Sequence, residues 1–156
     1  MASPPITMQE PDMSLATSDD LIRNVLSQVR TIAVVGASIN EDRPSHNVTK
    51  FLIAQGYNVI PVNPGQAGKD IAGRTIVGKL ADIREPIDMV DIFRASASVP
   101  PVVDEALALM PRPKVIWMQL GVINNEAAAT AEAAGLTVIM DRCPHIEINR
   151  LHLPRR

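Results

Sequence analysis

Aromatic side chains are scarce in this chain: two phenylalanines, one tyrosine and one tryptophan among 156 residues. With so few stacking platforms and a formal net charge of −2, single-stranded nucleic acid is a poor partner. No global basic field is available for a duplex or an anionic membrane either. One cysteine, Cys143, excludes an internal disulfide framework and fits a reducing compartment. No apolar run approaches the roughly 18 residues of a membrane span. Before Arg23 there is neither a basic residue nor the apolar core of a signal peptide. These absences predict a cytoplasmic protein without a nucleic-acid or membrane partner. The single cysteine and the scattered histidines lack metal-ligand spacing, so no zinc site is expected.

What is present is ordinary for one globular domain: 46% hydrophobic and 21% charged residues. Residues 1–16 mix prolines with polar residues and show no period, which predicts a flexible tail ahead of a single domain over 17–156. A helix is expected from Thr17, with Asp20 completing a capping-box spacing. Leu21, Ile22, Val25, Leu26 and Val29 recur on its inner face.

Strand and helix signals then alternate. Thr31 to Val35 is an apolar, β-branched run that stops at Gly36, and a helix is expected from Ser45 to Gln55 with Gly56 as its terminator. Further strands are expected at 58–63, weakly within 71–77, and at 87–93, 115–119 and 136–140. Helices are expected at 100–110 and 125–134. About six strands alternating with helices predict an α/β, Rossmann-like, doubly wound and mainly parallel sheet. Such sheets bind ligands at the carboxyl ends of their strands.

Four strand ends supply the candidate site: Gly36-Ala37-Ser38, Asn63-Pro64, Phe93-Arg94, and Gln119 to Gly121. A glycine turn leading into a helix offers N–H groups and a positive helix end to a phosphate. Arg43 beside it could add a guanidinium fork, or could be a solvated loop charge; Ser45 reads as the helix N-cap. The dinucleotide fingerprint is absent, since only one of its three glycines is present. The acidic residue that accepts from the ribose hydroxyls is replaced by Asn63. Those departures argue against NAD.

The series Val35-Gly36-Ala37-Ser38, Arg43-Pro44-Ser45, Gly56-Tyr57, Pro61-Val62-Asn63-Pro64 and Ile71-Ala72-Gly73 resembles the small stand-alone coenzyme A-binding proteins. So do Asp91-Ile92-Phe93-Arg94, Trp117 to Gly121, and Asp141-Arg142-Cys143. Each motif is weak alone; their order and spacing, from about Thr31 to Leu151, are specific. The resemblance implies a fold similar to the coenzyme A-binding domain of the succinyl-CoA ligase α subunit, with coenzyme A or an acyl-CoA as the small-molecule ligand. It implies that Gly36, Ala37, Ser38 and Arg43 face the diphosphate and that Asn63 and Pro64 line the nucleotide side. Phe93, Arg94, Gln119 and Gly121 would line the pantetheine channel. One departure is Thr75-Ile76-Val77, where these proteins often carry a tyrosine after the glycine turn.

The likeness to the ligase stops at binding, because His46, His145 and His152 do not match its phosphorylated histidine. A non-catalytic binding or regulatory protein is therefore expected. Two alternatives stay open. One is an NADP-binding, oxidoreductase-like protein with Lys69 or Arg74 on the extra phosphate. The other is a thiol-dependent redox protein using Cys143, which sits ahead of Pro144 where a short helix could favour the thiolate. A buried, structural Cys143 is the competing reading.

Overall fold

The computed structural model describes residues 17–156; the segment read above as a flexible tail lies outside them. Helix α1 (Asp19–Gln28) is capped by Ser18, whose hydroxyl accepts from the Leu21 N–H at 3.2 Å. The cap is therefore Ser18, not Thr17, and Asp19 and Asp20 lie in the first turn, where the helix dipole favours negative charge. Strand β1 (Thr31–Val35) leads to α2 (Pro44–Gln55) and β2 (Asn58–Val62). Gly56 and Tyr57 close α2 by bonding back to the Ile53 and Leu52 carbonyls.

The segment expected as a weak third strand is instead a separate hairpin of β3 (Asp70–Ile71) and β4 (Arg74–Thr75), paired antiparallel. Ala72 and Gly73 both have positive φ, 50° and 88°. That is the geometry of a tight two-residue hairpin turn, which folds the segment onto itself and removes it from the main sheet. An isolated parallel bridge between Val62 and Val77, just after β4, and the Arg74 side chain's bond to Asn58 tie it to β2.

Then follow β5 (Met89–Ile92), α3 (Val99–Leu107), β6 (Val115–Met118), α4 (Asn125–Ala133), β7 (Thr137–Ile139) and α5 (Pro144–Arg150). Two prolines fit the first turn of α3, where a missing N–H does no harm. Asn124 caps α4 by accepting from the Ala127 N–H at 2.8 Å.

The main sheet has five parallel strands in the order β2-β1-β5-β6-β7, not six. Alternate residues feed two cores. Ile32, Val34, Met89, Trp117 and Ile139 pack under α1, α2 and α5. Ala33, Val35, Val90, Ile92, Ile116 and Met118 pack under α3 and α4. From β1 the chain first moves outward to β2, then returns to place β5 on the other side of β1. The strand order reverses there, and a crevice opens at the carboxyl ends of β1 and β5.

Candidate functional site

Gly36 stands at the end of β1 with φ 93°, and a Cβ built there would lie 2.1 Å from the Phe93 carbonyl oxygen. Only glycine lets the loop after β1 pass so close to the end of β5. Both the Gly36 and Ala37 N–H groups bond to the Val62 carbonyl, at 2.9 and 3.3 Å. These two donors therefore fasten the loop to β2 and are not free for an anion, contrary to the simplest reading of the glycine turn.

The loop after β2 completes the fastening. The Asn63 side-chain amide donates to the Ala37 carbonyl at 2.7 Å, while its oxygen accepts from the Gly65 N–H at 2.9 Å. Gln66 accepts from the Ile39 N–H through Oε1 at 2.9 Å. Nδ1 of buried His46 donates to the Ser38 carbonyl at 2.8 Å, tying the first turn of α2 to the same loop. Ser38 is thus pinned from three sides.

A cavity of about 410 Å³ lies over these fastenings. Gly36 and Ser38 come from the first loop, Arg43, Pro44 and Ser45 from the start of α2, and Asn63 and Gln66 from the second loop. Phe93, Arg94 and Ala95 follow β5, and Val122 follows β6. Its wall carries two guanidinium groups and no carboxylate. Neither guanidinium has a hydrogen-bond or ion-pair partner among the described residues, although Arg94 is half-buried. Arg43 is exposed and free to reach an anion, and half-buried Arg94 gains more from one because it is partly out of water.

Ser45 is not the N-cap. That position is held by Arg43, Pro44 is the first helical residue, and no side chain caps the helix. Ser45, buried in the first turn of α2, lines the cavity without capping the helix.

Of the residues expected at the site, seven line this cavity: Gly36, Ser38, Arg43, Ser45, Asn63, Phe93 and Arg94. Four do not. Ala37 is buried in the core, Pro64 is an exposed start of a short 3₁₀ turn, and the Gly121 N–H is bonded to Asp141 Oδ1 at 2.7 Å. Gln119 is buried, with Oε1 lacking a partner among the described residues. Gln66, Pro44, Ala95 and Val122 were not anticipated. The turn Pro64-Gly65-Gln66 was the available signal for the first of them.

Several charged or reactive groups lie outside the cavity wall. Lys69 is exposed and Arg74 donates to Asn58 Oδ1 at 2.8 Å, so neither of the phosphate partners considered for NADP reaches it. Cys143 is buried against Trp117, Ile139 and Ile148. His145 stacks on Phe51 with ring centroids 3.7 Å apart. Asp91, two residues before Phe93, is fully buried with both carboxyl oxygens unpartnered among the described residues. Burial raises its pKa well above the usual carboxylate range. Burial thus disfavours the charged form of this neighbouring acid.

A model of the CoA binding domain matches residues 30–149. The chain belongs to the CoA binding domain family. It is 41% identical over 122 residues to the uncharacterized protein YneT of Bacillus subtilis (strain 168), covering 78% of this chain and 87% of that one. A solved structure from Thermus thermophilus superimposes with a TM-score of 0.81 at 39% identity, covering 86% of this chain and 99% of the other. A hypothetical protein from Pyrococcus horikoshii OT3 gives 0.79 at 34%, covering 86% and 92%. These likenesses share the Rossmann-like α/β fold. No helix of the described residues is long and apolar enough to cross a membrane.

Proposed function

We propose that the protein binds coenzyme A, or an acyl derivative of it, in the cavity at the carboxyl ends of β1 and β5, and that it does so without catalysing a reaction on it. The observation that carries this reading is the pair of unpartnered guanidinium groups, Arg43 and Arg94, in a wall free of carboxylates. Coenzyme A is a polyanion, and charge-assisted hydrogen bonds to phosphate are each worth roughly 1.5–3 kcal/mol. The membership of the CoA binding domain family supports the same ligand.

In this reading Arg43, Ser38 and Ser45 hold the diphosphate, with the dipole of α2 behind them. Asn63 and Gln66 shape the nucleotide side, Phe93 flanks the outgoing pantetheine arm, and Arg94 at the base of that arm meets the phosphates from the β5 side. Gln119 and Gly121, which do not line the cavity, act by holding the loop after β6. The cavity wall contains no histidine, cysteine, carboxylate or lysine. The imidazole beside its serines, His46, has Nδ1 committed to the Ser38 carbonyl, and no hydrogen bond joins it to either serine hydroxyl, which favours binding over acyl transfer.

Calorimetric titration with coenzyme A, acetyl-CoA, NADH and NADPH on one preparation tests this. Saturable heat with the two coenzyme A species and none with the nicotinamides is the expected result. Tight nicotinamide binding without coenzyme A binding would overturn it.

A further inference from the structure

The cavity has a direction. In the strand order, its polar wall from α2 and the loop after β2 lies on one side, over β2 and β1. Its other side, towards β6, ends on Ala95 and Val122. Val122 is flanked by Leu120 and Ile123, which are among the few large apolar side chains left exposed, at 58% and 47%. Single exposed aliphatics are common on protein surfaces. Both are close chain neighbours of Val122, which closes the cavity on its apolar side, and the backbone of their loop is fixed from three directions.

The Ile123 N–H donates to Ser96 Oγ at 3.0 Å, and the Asn124 side-chain amide to the Ser96 carbonyl at 2.9 Å, which ties the segment to the loop after β5. The Gly121 N–H donates to Asp141 Oδ1 at 2.7 Å, which ties it to the end of β7. The Val122 N–H bonds to the Gln119 carbonyl at 2.8 Å. A loop held this firmly loses little backbone freedom when something apolar covers its two exposed aliphatics.

We propose that Leu120 and Ile123 form a shelf for the hydrocarbon chain of an acyl-CoA, so that the protein selects thioesters with a medium-length aliphatic tail over free coenzyme A. The proposal rests on the coenzyme A reading of the cavity and deepens it. Occupant and surface match end to end: phosphates on the two arginines, tail on the exposed aliphatics at the β6 side. Acetyl-CoA is too short to cover the shelf, whereas an octanoyl chain extends past the thioester and can lie on both side chains.

The test is calorimetry with coenzyme A, acetyl-CoA and octanoyl-CoA on the wild-type protein and on the double variant Leu120→Ser/Ile123→Ser. Burying even two methylenes is worth about tenfold in affinity or more. Octanoyl-CoA should therefore bind the wild type at least about tenfold more tightly than coenzyme A or acetyl-CoA. The double variant should lose that advantage and keep its coenzyme A affinity, which also shows that it is folded. Equal affinities of the wild type for coenzyme A and octanoyl-CoA would overturn the shelf while leaving the coenzyme A site standing. An octanoyl advantage that survives in the double variant would likewise overturn the assignment to these residues. Failure of all three ligands to bind would remove the underlying reading, and the shelf with it.

Discussion

Gly36 and Phe93 meet where two parallel strands end, with the Phe93 carbonyl oxygen occupying the space a Gly36 side chain would need. The contact joins the loops that form the two sides of the cavity. Gly36→Ala adds both a backbone penalty at φ 93° and a 2.1 Å clash with a main-chain atom that has little room to yield. A destabilisation of about 2 kcal/mol or more is expected, with loss of coenzyme A binding. Urea unfolding and calorimetry on the same variant check both parts; wild-type stability would refute the close approach.

Asn63 offers a contrast, since its side chain works by holding loops together. Asn63→Ala removes the bond to the Ala37 carbonyl and the cap on the Gly65 N–H. A stability loss of about 1–2 kcal/mol is expected, with coenzyme A weakened through a loosened Ser38 loop. Faster amide exchange at residues 37–40 would identify the mechanism, and unchanged exchange there would contradict it.

Asp91 gives the protein a pH signature. Its pKa is raised in the fold by burial, so the folded state holds this proton more tightly than the unfolded chain does. The contribution is complete below the unfolded value, about 4. It is lost as pH climbs towards the folded value. Asp91→Asn cannot ionise, so its stability advantage over the wild type should grow steadily as pH rises from 4. Denaturant unfolding of both proteins between pH 4 and 8 measures this; parallel stability curves would show that Asp91 does not titrate as described.

The hairpin turn supplies a change that should leave the ligand alone. Ala72 sits at φ 50°, where an alanine is strained and an asparagine followed by glycine is favoured. Ala72→Asn should stabilise the protein by roughly 0.5–1 kcal/mol with unchanged coenzyme A affinity. Thermal unfolding and one titration are sufficient to decide it.

These examples also show what could be read from the chain alone. The apolar runs of β1, β5 and β6 were plain because buried parallel strands are continuous β-branched or aliphatic segments. Five of the cavity-lining residues, Gly36, Ser38, Asn63, Phe93 and Arg94, were legible for a related reason: they closely follow such runs, and the architecture places strand ends together. The hairpin was not legible, because two-residue strands carry no period. Ser45 was misassigned because serine is a good cap, yet Pro44 ahead of it suits the first helical position and moves the boundary back to Arg43. Gln66 and Val122 reach the cavity through loop closures between strands, which spacing does not encode. The upward shift of Asp91 depends on its complete burial, and a lone acid in a strand does not reveal that.

The central claim is that Arg43 and Arg94 hold the phosphates of coenzyme A. Its most direct test is calorimetric titration of coenzyme A into the wild type, Arg43→Ala and Arg94→Ala at two salt concentrations. Each single variant should bind about tenfold or more weakly, as expected for the loss of a charge-assisted bond of roughly 1.5–3 kcal/mol. Each should also show a smaller salt dependence than the wild type. Variants that bind coenzyme A as tightly as the wild type, with the same salt dependence, would contradict the account.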